Sequence, residues 1–492
     1  MIELKDVSFT YENGETENNL SYINLTIRDG ETILLCGESG CGKTTLTRLI
    51  NGLIPHYYGG KLTGQVLLDG KELKNYPLYQ IGQRVGSVFQ NPRTQFYNVD
   101  TTSEIVFGCE NMALPVPEMR KRLEETAHSL KLEKLLNRSL FALSGGEKQK
   151  IACASADAIR PDIFVLDEPS SNLDIATIED LIGVIRHWQS EKKTVIVAEH
   201  RLYYLMDLAN RFLCVQKGKI VREFTAQQMK ALTNQEIQAL GLRTPDLHQI
   251  EQTEISSAAT SEVVLEVKKL NHSFGETIVA KNIDFQCRQG EVIALIGPNG
   301  TGKSTIGRIL AGLLKEKSGE VILFGKHCRP KGRLGKVWYI PQDLDSQLFG
   351  EDLLDELTTG AEVSPERKQA AEEILEALEL MPFIKQHPST LSGGQKQRVF
   401  IARAIASDAS IFFMDEPLAG VDKKTEGIIM GFLKESQRNK KTSIVVHHDL
   451  NTVDKYFDHL VILNKKILAQ GKVSEVFTKE NIERAFGGEI NV

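Results

Sequence analysis

Apolar residues form two kinds of pattern along this chain, and each kind occurs twice. Alternating apolar and polar positions open each half, in IELKDVSFTY and VLEVKKLNHSF, and predict half-exposed strands. Continuous apolar runs follow: TILLCG and VIALIG early in each half, then IFVLDEP, TVIVAEH, IFFMDEP and TSIVVHH. Because such runs alternate with helical stretches, they predict parallel sheets that are covered on both faces.

Helical periodicity fills the segments between these strands. The runs TTLTRLINGL and STIGRILAGLL each follow a glycine-rich stretch, and EMRKRLEETAHSLKLEKLL and ERKQAAEEILEALEL lie in the middle of each half. We therefore predict an α/β protein of two similar units, residues 1–240 and 263–492. Residues 241–262 contain few large apolar side chains and much Ser, Thr, Gln and Glu, which predicts an exposed linker.

Composition narrows the class of protein. The composition, 41% hydrophobic and 25% charged, is that of ordinary globular proteins. A chain of 492 residues is too long for a typical single hydrophobic core, so it predicts more than one domain. A net charge of −6 argues against a nucleic-acid binder. No apolar run is long enough to predict a membrane span. The seven cysteines lack CxxC pairs and metal-ligand spacing, which favours reduced cytosolic thiols.

Two glycine-rich stretches, GESGCGKTT and GPNGTGKST, stand between an apolar strand and a helix. In that context the backbone N–H groups surround a phosphate chain, Lys43 or Lys303 contacts the β- and γ-phosphates, and Thr44 or Ser304 can hold Mg²⁺. The predicted ATP-binding residues here are Gly37, Glu38, Ser39, Gly40, Cys41, Gly42, Lys43, Thr44 and Thr45, and Gly297, Pro298, Asn299, Gly300, Thr301, Gly302, Lys303, Ser304 and Thr305.

Acidic pairs end one buried strand in each half, where a parallel sheet binds its ligands. We predict that Asp167 and Asp415 orient Mg²⁺ and that Glu168 and Glu416 polarise an attacking water. An LSGG sequence begins a helix 24 residues before each glutamate and predicts a second anion site, formed by Ser144, Gly145 and Gly146 and by Ser392, Gly393 and Gly394. His200 and His448 each follow their glutamate by 32 residues and are predicted to contact the γ-phosphate.

Taken in order, the phosphate loop, glutamine, LSGG signature, Asp-Glu pair and histidine resemble those of the ATP-binding cassette (ABC) ATPases over nearly the whole chain. The resemblance implies two tandem P-loop domains, each with a mainly parallel core, an antiparallel β subdomain and a helical insertion. It also implies that Gln90 and Gln342 act in catalysis and Mg²⁺ binding, and that Tyr11 and Phe274 stack on adenine.

In ABC ATPases the signature of one unit completes the ATP site of the other. Carried over, Ser392 completes the site of Lys43, Ser144 completes that of Lys303, and Asp174 and Asp422 couple the two sites. Whether the halves close on each other or pair with a second copy stays open. No group that the chemistry needs is missing from either half, so two hydrolysis-competent sites are predicted.

The stretches after Gln90 and Gln342 are similar to those of energy-coupling-factor and cobalt-type importer ATPases, as is EHRL at 199–202. The shared positions, at a constant offset of 252, are Gln95 and Gln347, Glu104 and Glu356, and Gly108 and Gly360. This likeness implies a peripheral protein on the cytoplasmic face of the membrane, bound to a scaffold subunit and a substrate-capture subunit. Acids of the second half that could meet a basic partner are Asp343, Asp345, Glu351, Asp352 and Asp355.

Family substrates of such importers are vitamins, vitamin precursors or transition metals. Two alternatives remain: a sugar-type importer ATPase, in which the second half usually departs from consensus, and a soluble ABC ATPase that acts on ribosomes or nucleic acid. The acidic chain and its short linker weigh against the second alternative.

Overall fold

The computed structural model describes residues 1–12, 19–38, 40–171, 173–240, 242, 262–342, 344, 347–358, 364–391, 393–418, 421 and 423–486. The chain divides into two compact units, Met1–Gln249 and Ile250–Val492. Most of the predicted linker, residues 243–261, lies outside the described residues. The finer boundaries at 240 and 263 therefore stay a prediction.

The first unit contains two sheets and the helices that connect their strands. Its strands are β1 Ile2–Tyr11, β2 Leu20–Ile27, β3 Thr32–Cys36, β4 Gly60–Leu68, β5 Lys71–Glu72, β6 Val85–Val88, β7 Ile163–Asp167, β8 Thr194–Ala198, β9 Arg211–Gln216 and β10 Lys219–Phe224. Its helices are α1 Lys43–Ile50, α2 Leu53–His56, α3 Leu78–Arg84, α4 Thr101–Asn111, α5 Val116–Ser129, α6 Gly145–Ala158, α7 Ile175–Ser190, α8 Ala226–Lys230 and α9 Asn234–Ala239.

The second unit repeats this order of elements. Its strands are β11 Val263–Phe274, β12 Thr277–Arg288, β13 Val292–Ile296, β14 Ser318–Leu323, β15 Lys326–His327, β16 Val337–Ile340, β17 Ile411–Asp415, β18 Thr442–Val446, β19 His459–Asn464 and β20 Lys466–Lys472. Its helices are α10 Lys303–Leu310, α11 Pro330–Arg333, α12 Leu353–Thr358, α13 Pro365–Ala377, α14 Gly393–Ala406, α15 Lys423–Arg438, α16 Val453–Tyr456, α17 Val473–Val476 and α18 Lys479–Phe486.

Each unit has a six-stranded sheet at its core, in the order β10-β9-β3-β8-β7-β6 and, in the same spatial sequence, β20-β19-β13-β18-β17-β16. Neighbouring strands pair in parallel except for the antiparallel hairpins β9–β10 and β19–β20. Every residue of β3, β8, β13, β17 and β18 is buried, which confirms the prediction from their continuous apolar runs. A separate four-stranded antiparallel sheet completes each unit, in the orders β2-β1-β4-β5 and β12-β11-β14-β15.

Helices inserted between the glutamine loop and the LSGG sequence form the third part of each unit. In the first unit these helices are α4 and α5, and α5 ends at Ser129, earlier than the apolar periodicity suggests. Lys131 adopts a positive φ of 55°, and a three-residue 3₁₀ turn at Glu133–Leu135 follows. The counterpart in the second unit is α12 and α13. The α/β fold class, with its antiparallel subdomain and helical insertion, is confirmed.

The core of the first unit contains a buried carboxylate, Asp157, on α6. The indole N–H of Trp188 donates to its Oδ1 at 2.7 Å and the Thr126 hydroxyl donates to its Oδ2 at 2.9 Å. Burial raises the pKa of Asp157 above its usual range, and these two hydrogen bonds only partly oppose that effect. The charged form is therefore less favourable in the folded unit than in the unfolded chain.

We expect Asp157→Asn to remove part of the pH dependence of stability. Because the folded pKa is raised, the wild-type first unit gains stability from this group as the pH falls through that pKa toward the ordinary aspartate value, and loses it as the pH rises. The Asn variant should lack this gain. Unfolding free energies measured at neutral and mildly acidic pH by Trp188 fluorescence, in a Trp338→Phe background, test this because the chain has two tryptophans. Parallel pH profiles for the two proteins would contradict it.

Candidate functional site

Both glycine-rich stretches form tight loops between a central strand and a helix. Gly37 and Gly297 directly follow β3 and β13 with φ of 147° and 153°. A Cβ at either position would collide with the backbone carbonyl of Val215 or Leu463 on the neighbouring strand, so only glycine fits. The loops end at Gly42 and Gly302, where α1 and α10 begin with their free N–H groups directed toward the loop.

The loop lysines are nearly buried and fold back over their own loops. Lys43 Nζ donates to the carbonyl oxygens of Gly37 at 3.0 Å and Glu38 at 2.9 Å. Lys303 Nζ donates in the same way to Gly297 at 2.7 Å and Pro298 at 2.8 Å. Both ammonium groups are thereby held at the centre of a ring of backbone groups, as a phosphate-binding lysine requires.

A glutamate, a glutamine and a histidine come together beside each loop. In the first unit Gln90 Nε2 donates to Glu168 Oε2 at 2.7 Å, and His200 Nε2 lies 3.0 Å from Glu168 Oε1. His200 Nε2 also lies 3.2 Å from Lys43 Nζ, so the lysine, histidine, glutamate and glutamine form one polar chain. Each of these side chains comes from a different segment, at the carboxyl edge of the parallel sheet.

The second unit repeats the glutamine–glutamate and histidine–glutamate contacts with the same atoms. Gln342 Nε2 donates to Glu416 Oε2 at 2.8 Å, and His448 Nε2 lies 2.6 Å from Glu416 Oε1. Glu168 and Glu416 both adopt left-handed backbone conformations, with φ of 45° and 55°. A positive φ is strained for a glutamate, and its occurrence at both positions indicates a conformation imposed by the sheet edge.

The strand-end aspartates lie behind the glutamates and face the hydroxyl groups of the loops. The Thr44 hydroxyl donates to Asp167 Oδ1 at 3.2 Å. Burial, and to a lesser degree the charge of Glu168, raises the pKa of Asp167 to about 6. Burial also raises the pKa of Asp415 above the usual aspartate value, and the nearby Ser304 hydroxyl partly opposes that shift.

The LSGG sequences begin α6 and α14. Ser144 caps α6: its hydroxyl accepts from the Glu147 N–H at 3.3 Å, and the Glu147 carboxylate accepts from the Ser144 N–H at 2.8 Å. A Cβ at Gly146 would collide with Thr177 on α7, whereas a Cβ at Gly393 would meet no atom within 4 Å. Ser392 and the loop residue Ser39 lie outside the described residues.

The two aromatic residues predicted to stack on adenine have different surroundings. The Tyr11 ring packs edge-on against Phe9 at 4.8 Å, and its hydroxyl accepts from Arg48 Nη1 at 3.0 Å. Phe274 ends β11 with 53% of its surface exposed. Both residues lie at the end of the first strand of their unit, and their role in binding adenine stays a prediction.

Comparison with known proteins identifies this arrangement. The family model described as ABC transporter matches residues 20–171 and 280–419, more than half of the chain. A putative ABC transporter ATP-binding protein of Treponema denticola is 41% identical over 94% of this chain and 95% of its own length. This chain belongs to the ABC transporter family of ATP-binding proteins. As an ABC protein it is an ATPase, and its two domains bind ATP.

Two further likenesses cover almost the whole chain. A putative HMP/thiamine import ATP-binding protein of Bacillus subtilis is 29% identical over 98% of this ABC protein and 93% of its own length. The second likeness is to a solved structure, described as a model of ribosome-bound archaeal Pelota and ABCE1. One chain of that structure is 25% identical in sequence to this protein, and the two superpose with a TM-score of 0.68. The match covers 98% of this chain and 80% of that chain.

The oxygen groups at each site of this ABC ATPase fit Mg²⁺. Carboxylate and hydroxyl oxygens are its preferred protein ligands, and it usually takes only one or two carboxylates together with phosphate oxygens. Asp415 Oδ1 is buried and has no hydrogen-bond partner among the described residues. A buried oxygen of this kind is suited to coordinate a cation. Burial raises the pKa of Asp167, and a bound cation would oppose that shift by stabilising the charged carboxylate.

Sequence reasoning missed several side chains that shape these sites. Tyr339, on β16, donates its hydroxyl to Asp415 Oδ2 at 2.8 Å. Glu199 accepts the backbone N–H groups of His200 and Arg201 and thereby fixes the loop that carries His200. For Glu199 the signal was present, since a carboxylate directly after an all-apolar strand is buried and needs several donors.

Proposed function

We propose that each unit hydrolyses ATP with its own glutamate, histidine and glutamine. The observation that carries this proposal is the duplicated cluster around Glu168 and Glu416, with the same atom pairs in both units. Glu168 polarises the attacking water while His200 and Lys43 contact the γ-phosphate, and the second unit acts likewise. Mg²⁺ would neutralise phosphate charge at each site. In the first unit it would be held by Thr44, Asp167 and Gln90. In the second unit it would be held by Ser304, Asp415 and Gln342.

We further propose that the signature of each unit completes the ATP site of the other. A bound ATP is a polyanion that one unit binds and two units enclose, so binding favours closure. Loss of the γ-phosphate removes contacts from both sides and favours opening. The energy of ATP is thereby converted into a movement that a membrane partner can follow.

The proposed biological role is energy supply to an energy-coupling-factor-type importer. In this role the protein is a peripheral subunit at the cytoplasmic membrane face, bound to a scaffold and a substrate-capture subunit. The Bacillus subtilis relative with an import name supports this role. The substrate class is a vitamin, a vitamin precursor or a transition metal. Among the described residues no helix is long and apolar enough to cross a bilayer.

The loop after each glutamine supports a partner-binding role. Buried Glu104 accepts the N–H groups of Tyr97 at 3.0 Å and Asn98 at 2.8 Å through Oε2. Buried Glu356 accepts those of Phe349 at 2.8 Å and Gly350 at 2.6 Å in the same way. Each glutamate therefore fixes the backbone beneath an aromatic residue, Tyr97 or Phe349, that is 79% exposed. A rigid, exposed aromatic anchor at matching positions of both units is typical of a binding surface.

Charge distinguishes the two loops. The second unit has Glu351, Asp352 and Asp355 directly after Phe349, whereas the first has Val99, Asp100 and Ser103 at these positions. Val99 is 65% exposed. A partner segment on the second unit should accordingly carry basic residues, and the segment on the first unit should be more apolar.

We expect Tyr97→Ala and Phe349→Ala to weaken binding to membrane subunits. Burying one aromatic side chain at an interface contributes about 2–3 kcal/mol, so each variant should bind roughly 30- to 150-fold more weakly. The measurement is co-purification of the tagged chain with integral membrane proteins from detergent-solubilised membranes, followed by titration of the isolated complex.

Tyr22→Ala provides the matched control, because Tyr22 is also an exposed aromatic residue, 76% accessible, on the antiparallel sheet. It should leave the affinity unchanged. Equal binding by all three variants would remove the support for this surface.

A second role, action on ribosomes, is favoured by one observation, the likeness to the ABCE1-containing model over 98% of this chain. The same purification separates the two roles. It is carried out at a salt concentration that preserves contacts with phosphate. If ribosomes rather than membrane proteins were recovered with the tagged chain, the ribosomal role would be supported and the importer role contradicted.

A further inference from the structure

Glu199 is a buried carboxylate, 2% exposed, that stands directly before His200. Its Oε1 accepts the backbone N–H groups of His200 at 2.7 Å and Arg201 at 3.2 Å. Its Oε2 accepts the backbone N–H of Ser170 at 3.2 Å and the hydroxyl of Tyr204 at 2.9 Å. Burying a carboxylate is strongly unfavourable unless such donors surround it, so all four contacts are held firmly.

These contacts join two segments that lie far apart in sequence. The histidine loop, residues 199–202, follows β8. The aspartate segment, residues 170, 171, 173 and 174, follows Glu168 and Pro169. Arg201 makes the reverse connection, because its Nη1 donates to the carbonyl oxygens of Ser170 at 3.2 Å and Leu173 at 3.1 Å. The aspartate segment ends at Asp174, which caps α7 by accepting from the Thr177 N–H at 2.9 Å.

The second unit has different residues at these positions. His447 stands at the position of Glu199, Asp449 at that of Arg201 and Leu418 at that of Ser170. His447 Nε2 lies 2.7 Å from the hydroxyl of Thr452, which occupies the position of Tyr204. An ionised aspartate has no donor, so Asp449 cannot donate to backbone carbonyls as Arg201 does, and a neutral imidazole accepts at one nitrogen where the Glu199 carboxylate accepts at two oxygens.

We propose that Glu199 is a positioning residue that makes the histidine loop and the aspartate segment of the first unit move as one piece. When the γ-phosphate leaves, His200 loses a contact, and Glu199 passes the displacement of its loop to Ser170. The segment that moves carries Asp174, the residue assigned by family resemblance to coupling between the two sites. Because different residues occupy these positions in the second unit, this set of contacts is specific to the first unit. This inference rests on the roles proposed for Glu168 and His200.

Glu199→Gln tests the link with little change in shape. Its amide oxygen can still accept from the His200 and Arg201 N–H groups, but its amide nitrogen then faces the N–H of Ser170, donor against donor. We expect kcat for ATP hydrolysis at the first site to fall about 10-fold while KM for ATP there changes less than about 2-fold, because the phosphate loop is untouched.

A His200→Ala background separates positioning from general destabilisation. If Glu199 acts through His200, Glu199→Gln should lower kcat no further in that background. Tyr204→Phe is the matched control: it removes one donor from the same carboxylate, keeps the three backbone donors, and should change kcat less than about 2-fold.

The inference is overturned if Glu199→Gln leaves kcat unchanged, if it lowers kcat equally in the His200→Ala background, or if Tyr204→Phe has the same effect. Glu168→Gln distinguishes this failure from that of the proposed function. Normal turnover in that variant contradicts the proposed catalytic roles, whereas lost turnover there together with a normal Glu199→Gln variant contradicts the inference alone.

Discussion

Glu168→Gln and Glu416→Gln are each expected to lower ATP turnover at the substituted site about 100-fold or more. A positioned general base contributes about 10²- to 10⁴-fold, and an amide cannot accept the proton of the attacking water. The substitution keeps the shape of the side chain. Gln90 and His200, or Gln342 and His448, remain able to contact it. The loss should therefore appear in kcat and leave the affinity for ATP close to that of the wild type.

Steady-state hydrolysis measured for the two single variants and the double variant tests this prediction. Glu320→Gln is the matched control, because Glu320 is an exposed carboxylate on the antiparallel sheet that pairs with His327. It should retain normal turnover. If one of the two catalytic variants also retained normal turnover, only the other site would hydrolyse ATP, and the prediction of two competent sites would be wrong.

Much of the fold was predictable because its signals are local. Each all-buried strand is a continuous apolar run in the sequence, and each phosphate loop needs glycine at the strand end, where a Cβ would strike the neighbouring strand. The repeated spacing of the motifs then predicted two similar units. The order of strands in the sheets was not predicted, because periodicity does not specify which strands pair.

The candidate site was predictable as a set of residues but not as a set of contacts. Glu168 and His200 are 32 positions apart in sequence, and only the parallel pairing of β7 with β8 brings them together. The contact of Lys43 with His200 depends in the same way on β3 lying beside β8. The aromatic anchors Tyr97 and Phe349 were missed because an exposed aromatic residue has no local sequence signal.

The connection through Glu199 shows a further limit of sequence patterns. The repeat makes the two units look equivalent, and the catalytic residues Glu168 and Glu416 are the same in both. The supporting residues have diverged, with Glu199 and Arg201 in one unit and His447 and Asp449 in the other. Differences between the two sites are thus expected in the loops that support the chemistry rather than in the chemical groups themselves.

The proposed exchange of signatures between units makes a prediction that pairs of substitutions can test. Gly145→Asp and Gly393→Asp each place a carboxylate at the first turn of a signature helix, where the proposed arrangement puts a γ-phosphate. Gly145 is exposed, and a Cβ at Gly393 meets no atom within 4 Å, so folding should tolerate both changes. Repulsion between the carboxylate and the phosphate should empty the affected ATP site.

The readout is the number of ATP molecules that each chain retains when Glu168→Gln and Glu416→Gln prevent hydrolysis. The parent should retain two. Adding Lys43→Ala and Gly393→Asp together should leave one, since both changes affect the same site. Adding Lys43→Ala and Gly145→Asp together should leave none, because these changes affect different sites. The opposite result, one ATP for the second pair and none for the first, would mean that each unit uses its own signature. Binding and opening would then be independent in the two units, and ATP could not act as the bridge that closes one unit on another.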